Sequence, residues 1–118
     1  MEFLNRIELR GVVGRSEVTT FGESQKCRFS LVTEQSTYRG GESGIESTWF
    51  NINAWEGRGM PDFTKIQQGC WVAVVGRLRT YKYTTPEGEE RSSWEVSATR
   101  VDILPREEGE RMQPTRNY

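Results

Sequence analysis

Histidine is absent from the 118-residue chain. That omission alone excludes a Ser-His-Asp triad, a histidine general base and any mixed Cys/His zinc centre. Cysteine occurs only at Cys27 and Cys70, too far apart for a C-x-x-C motif. Each lies in a strand-like run, where buried free thiols are expected and one disulfide is the alternative. No long apolar run interrupts the charged opening "MEFLNRIELR", so neither a signal peptide nor a membrane anchor is expected, and the expected location is cytoplasmic. Neither sign of charge is in excess, because 16 basic residues against 17 acidic leave a formal net charge of −1. A polyanionic partner must therefore be argued from where the cations fall. A phosphate-cradling glycine loop followed by lysine is missing, and so is any metal-ligand spacing. Glu87, Glu89 and Glu90 crowd one turn as solvating charges, and Asp62 reads as a helix-start residue. Catalysis, a bound metal and a cofactor are not expected.

What the chain has is alternation. Its length suits one domain, and an apolar fraction of 34% allows one small core with much polar loop. "NRIELRGVVGR" sets Ile7, Leu9, Gly11 and Val13 on one face against Arg6, Glu8 and Arg10. "KCRFSLVTE" sets Cys27, Phe29 and Leu31 against Arg28, Ser30 and Val32. Between them "SEVTTFGES" reads as a short connection, and the glycine-rich "YRGGESGIES" as a mobile loop before the third strand. Within "GRGMPDFTKIQQG", Pro61 and Asp62 start a short helix that Gly69 stops. The long fourth strand is "CWVAVVGRLRTYKY". A turn at "TTPEGEE" leads to the fifth near "SSWEVSATRVDIL". The closing "PREEGERMQPTRNY" is poor in apolar residues and reads as a loose tail, which divides the chain into a domain at 1–104 and a flexible tail at 105–118.

Five strands with one short helix between the third and fourth predict an all-β, five-stranded closed barrel, with Gly11, Gly14 and Gly76 placed to let it curve. The oligonucleotide/oligosaccharide-binding (OB) fold has this order of elements and binds ligands over one face and its loops. An SH3-like or other small barrel is not separated by periodicity, although the helix position favours the OB-fold.

The third strand, "STWFNINAWEG", carries the main chemical signal. Phe50, Ile52 and Ala54 make an ordinary core face, which leaves Trp49, Asn51, Asn53 and Trp55 on the other. On the fourth strand, Val72, Val74, Gly76 and Leu78 alternate with Trp71, Ala73, Val75, Arg77, Arg79, Tyr81 and Tyr83. Lys82 and Arg91 stand near the same hairpin. Guanidinium groups interleaved with aromatic rings match an unpaired nucleic-acid strand, whose bases expose flat apolar faces and whose phosphates repeat a negative charge. A duplex hides those faces. Two readings of the tryptophans stand: stacking platforms, or rings buried in a subunit interface or second packing layer. Arg77 and Arg79 could be solvated edge charges, and Tyr81 and Tyr83 could simply prop the hairpin. The two asparagines could bind ligand or hydrogen-bond locally. Trp71 and Trp94 read as structural.

"NRIELRGVVGR", "RFSLVTE", "STWFNINAWEG", "GCWVAVVGRLRTYKY" and "WEVSATRVDIL", in that order, resemble the bacterial single-stranded DNA-binding protein family over about residues 3–104. The resemblance implies that Trp49, Trp55 and Tyr83 stack on bases, with Tyr38 doing so at the mouth of the loop after the second strand. It implies phosphate contacts from Arg77, Arg79 and Lys82, with Arg6 and Arg10 placed less securely. It also implies a homotetramer in which first strands pair between subunits. Phe50 stands where the family usually has histidine, and the segment after Trp55 is shorter than usual. The ending "QPTRNY" lacks the acidic, phenylalanine-terminated tip that recruits replication and repair enzymes in that family, so such recruitment is not expected.

The expected function is non-enzymatic coating of single-stranded DNA with little sequence preference, protecting it in replication, repair, recombination or plasmid transfer. The alternative is a dimeric adaptor like primosomal replication protein N, acting mainly through protein partners. A sugar-binding barrel is a further option that the arginine–tyrosine face disfavours.

Overall fold

Inward-facing residues at every second position of five strands close the sheet on itself. The computed structural model describes residues 1–106. The strands are β1 (Ile7–Phe21), β2 (Ser24–Arg39), β3 (Glu42–Trp55), β4 (Trp71–Thr84) and β5 (Glu90–Leu104). They form a closed barrel in the order β1-β2-β3-β5-β4. All neighbours are antiparallel except β3 and β5, which meet in parallel at Ile52–Val96 and Asn53–Ser97. Val13, Phe29, Leu31, Ile52, Val72, Val74, Val96 and Val101 fill the interior. Burying side chains of this size stabilises by about 1.5–3 kcal/mol each. The all-β, five-stranded prediction holds, and the inward sets on β1, β2 and β3 are those expected from alternation.

Two bulges let the sheet curl tightly enough to close. On β1 the register against β2 slips between Val13 and Ser16, which adds a residue at Gly14–Arg15 and reverses the face parity beyond it. Ser16 then points inward, its hydroxyl 3.5 Å from the Cys27 sulfur. On β5 the extra residue is Thr99, opposite the Val75–Gly76 step. Its hydroxyl donates to the Val75 carbonyl at 3.1 Å.

Three expectations are revised. "SEVTTFGES" is not a connection, because β1 continues through it and turns in two residues, Gly22 and Glu23, into β2. "YRGGESGIES" is likewise strand and turn rather than loop. β2 and β3 remain paired out to Arg39–Glu42 around Gly40 and Gly41, whose φ angles of 58° and 82° suit a two-residue hairpin turn. The helix shrinks to one 3-10 turn, Phe63–Lys65. Asp62 does cap it, accepting from the Thr64 backbone N–H at 3.0 Å and the Thr64 hydroxyl at 2.8 Å. Those bonds hold the Asp62 carboxyl below the usual carboxylate range. Phe63 and Ile66 plug the barrel end, while Gly69 N–H donates to the Val13 carbonyl and Val13 N–H to that of Cys70. Of the predicted tail at 105–118, residues 107–118 lie outside the described residues.

Both cysteines are free thiols. Cys27 is fully enclosed, and burial pushes its thiol pKa up while the Ser16 hydroxyl opposes the shift. A higher pKa leaves less thiolate at neutral pH. Iodoacetamide applied to the folded protein should therefore leave Cys27 unmodified while the half-buried Cys70 reacts, and denaturant should expose both; peptide mass spectrometry reads the difference.

Candidate nucleic-acid interface

Because Ile52 and Ala54 are sealed in the core, β3 must turn its odd-numbered side chains outward. Trp49 is 61% exposed and Trp55 47% exposed. Both lie on the barrel exterior rather than in the core of this chain. Their positions are six residues apart on one strand, or about 20 Å at 3.3 Å per residue.

Cross-strand register extends this face in both directions. Asn53 stands opposite Arg28 on β2 and Ser97 on β5, and Ser97 stands opposite Arg77 on β4. A row perpendicular to the strands thus runs Arg28, Asn53, Ser97, Arg77. One row along β4, Arg79 faces Glu95, followed by Tyr81 facing Ser93 and Tyr83 facing Arg91. The Tyr81 and Tyr83 rings lie 6.0 Å apart at 40°. By strand alternation Tyr38, 73% exposed near the β2–β3 turn, is on the same side as Trp49. Beside the β1 bulge, Trp49, Asn51, Arg28 and Arg15 help line a recess of about 1090 Å³.

The expected site residues are not equivalent. Arg28 and Arg77 make no ion pair among the described residues, and neither does Lys82. Arg79, by contrast, lies 3.4 Å from the buried Glu95 carboxylate, which diverts part of its charge from any incoming anion. Arg6 is similarly engaged with Glu8 at 3.0 Å. Asn51 is exposed, whereas Asn53 is buried and its Oδ1 has no hydrogen-bond partner. An unmet buried acceptor costs about 1–3 kcal/mol. Lys82 alternates with Tyr81 and Tyr83, so it occupies the opposite face of the β4–β5 ribbon.

Trp94 also lies on that opposite face, across from Thr80. The expectation that it is structural is not met, since it is 60% exposed. Toward the β4–β5 turn, Val96 is the last buried apolar position on β5, and beyond it the ribbon projects past the barrel. Sequence reading missed Phe21 and Lys26. The Phe21 and Trp55 ring centroids are 5.5 Å apart at 47°, and Lys26 Nζ sits 5.3 Å from the Trp55 centroid. The signal for Phe21 lay in "VTTFGE", a β-rich run ending at a glycine turn, which is the mark of a hairpin.

Comparison with known proteins converges on one group. Residues 4–104 match the model of the single-strand binding protein family. A single-stranded DNA-binding protein of Treponema pallidum is 35% identical over 78 residues, covering 66% of this chain and 44% of the relative. One from Neisseria meningitidis is 27% identical over 105 residues, covering 86% and 60%. The chain thus spans less than two thirds of these relatives' lengths. Among solved structures, a Plasmodium falciparum SSB in complex with ssDNA superposes with a TM-score of 0.72 at 22% identity, covering 89% of this chain and 98% of that one. A deletion mutant of the Thermus aquaticus protein gives 0.70 at 19% identity, covering 87% and 51%. At these identities the likeness is one of fold, and it selects the OB-fold over other small barrels.

Gly14 seats the Trp49 ring. A Cβ there would lie 2.6 Å from Trp49 Cζ3 and 2.8 Å from Ser30 Oγ. Gly14→Ala should therefore shift the Trp49 emission maximum and destabilise by about 1–3 kcal/mol. Adding Trp49→Ala should recover the part of that loss due to the ring, leaving only the Ser30 hydroxyl to move aside. Denaturant unfolding of the two single variants and the double variant measures the coupling.

Proposed function

Because this chain belongs to the single-strand binding protein family, we propose that it binds single-stranded DNA with little sequence preference, without catalysing a reaction on it. The observation that carries this reading is the pair of outward indoles, Trp49 and Trp55, on a face crossed by a row containing Arg28 and Arg77. Bases stack on Trp49, Trp55, Tyr83 and Tyr38, with Tyr81 supporting Tyr83. Each stack is worth roughly 1–3 kcal/mol whichever base supplies the ring. Arg28 and Arg77 neutralise phosphates, Arg79 contributes through its shared pair with Glu95, and Lys82 meets the strand where it passes over the hairpin edge. Asn51 and Asn53 contribute hydrogen bonds between the platforms.

Coating of this kind keeps the strand unpaired and shielded in replication, repair or recombination, in the cytoplasm. An adaptor acting mainly through protein partners finds no support in the comparisons. A homotetramer belongs to the same reading. On β1, residues 7–11 pair with β4 on one side, and the ladder to β2 begins only at Val12. An open edge of that length suits pairing with another subunit.

Titration with poly-dT at low salt should quench tryptophan emission, and the affinity should fall steeply as salt rises. Emission that stays constant would remove the reading. Trp49→Ala combined with Trp55→Ala should lower affinity at least about tenfold. Mass measurement in solution should give four copies per particle, and a stable monomer or dimer would refute the tetramer while leaving strand binding intact.

A further inference from the structure

We propose that Phe21, at the end of the β1–β2 hairpin, is an additional base-stacking station. With Trp55 and Lys26 it would lead the bound strand off the barrel and onto that hairpin. The inference rests on the single-strand-binding reading and extends its path.

Phe21 pairs with Ser24, and that register puts it on the outward face beside Trp55. It is 52% exposed, so a large apolar ring is held in water at a turn whose geometry depends on Gly22 and not on it. Its plane is inclined 47° to that of Trp55 with centroids 5.5 Å apart. A base lying flat on Trp55 cannot also lie flat on Phe21. Its neighbour can do so only if the backbone turns through a comparable angle between the two nucleotides. Because Phe21 closes the β1–β2 hairpin, a strand stacked on both rings runs from the barrel face onto that hairpin. Lys26 stands opposite Trp55 in the register and rests its ammonium 5.3 Å from the indole centroid. It has no ion pair among the described residues. At an exposed site the cation–π contact is weak enough to give up, and the phosphate joining the two stacked nucleotides is the anion for which Lys26 would leave the ring.

The competing view is that Phe21 only props Trp55. Two substitutions in the full chain separate the two roles. Phe21→Leu keeps an apolar contact with Trp55 but removes the aromatic face. Phe21→Trp keeps the face and adds a fluorescent reporter. With an oligo-dT of about 16 nucleotides, the upper end of one such barrel's footprint, Phe21→Leu should melt like the parent yet bind at least about fivefold more weakly, the lower end of one lost stack. Phe21→Trp should bind as the parent does and lose additional emission at saturation. Lys26→Gln should reduce the slope of log affinity against log salt by about 0.7, one phosphate contact on a single strand. Parent-like binding by Phe21→Leu overturns the proposal, as does an added indole that stays bright at saturation. Should Phe21→Leu fail to fold, the reporter variant decides alone. Failure of the unmodified chain to bind any oligonucleotide would be a separate result, against the underlying reading.

Discussion

The whole exterior face depends on the burial of two small stretches of β3 and β5. Ile52, Ala54 and Val96 are in the core, and a slip of one residue in either strand would exchange inward and outward sets together. Moving the indoles of Trp49 and Trp55 inward would bring the asparagines with them and expose Ile52. The core therefore holds the platforms outward without any contact of their own being needed. The cost of exposing two indoles is borne by the packing behind them, as is common where a surface is kept for a ligand.

Charge on this face is arranged locally, in a chain whose total is close to neutral. Arg6 with Glu8, Arg91 with Glu89 and Arg100 with Asp102 are exposed pairs at 2.7–3.0 Å, and such pairs contribute little to stability. Their effect is to cancel cations away from the row through Arg28 and Arg77. Glu95 is the exception, a buried acid opposite Arg79. By holding Arg79 at 3.4 Å it restrains one guanidinium and offsets its charge.

The parts of the fold that were legible in the sequence are those where alternation is driven by burial. Ile7 to Val13, Cys27 to Leu31 and Phe50 to Ala54 showed their inward sets because each alternate side chain enters one core. The arms were not legible for the same reason. From Thr33 to Arg39 and from Glu42 to Thr48 the strands pair with each other beyond the barrel, both faces meet water, and no apolar period marks them. Ser16 to Phe21 was obscured further by the Gly14–Arg15 bulge, which reverses parity halfway along β1. Trp94 was misplaced because "SSWEV" continues the inward parity of Val96, while the barrel wall that parity implies has already ended. The short helix was read correctly in position and cap but not in extent, since capping residues state where a turn begins and tertiary closure decides how soon it ends.

One seam in the barrel differs from the rest. β3 and β5 meet only through Ile52–Val96 and Asn53–Ser97, whereas every other junction is a longer antiparallel ladder. The strand with the two indoles lies on one side of this narrow join, and the ribbon with Arg77 and Tyr83 lies on the other. Any polymer laid across both acts as an external clasp. It ties together the two edges that the backbone joins most weakly, so occupancy and closure of the cylinder reinforce one another.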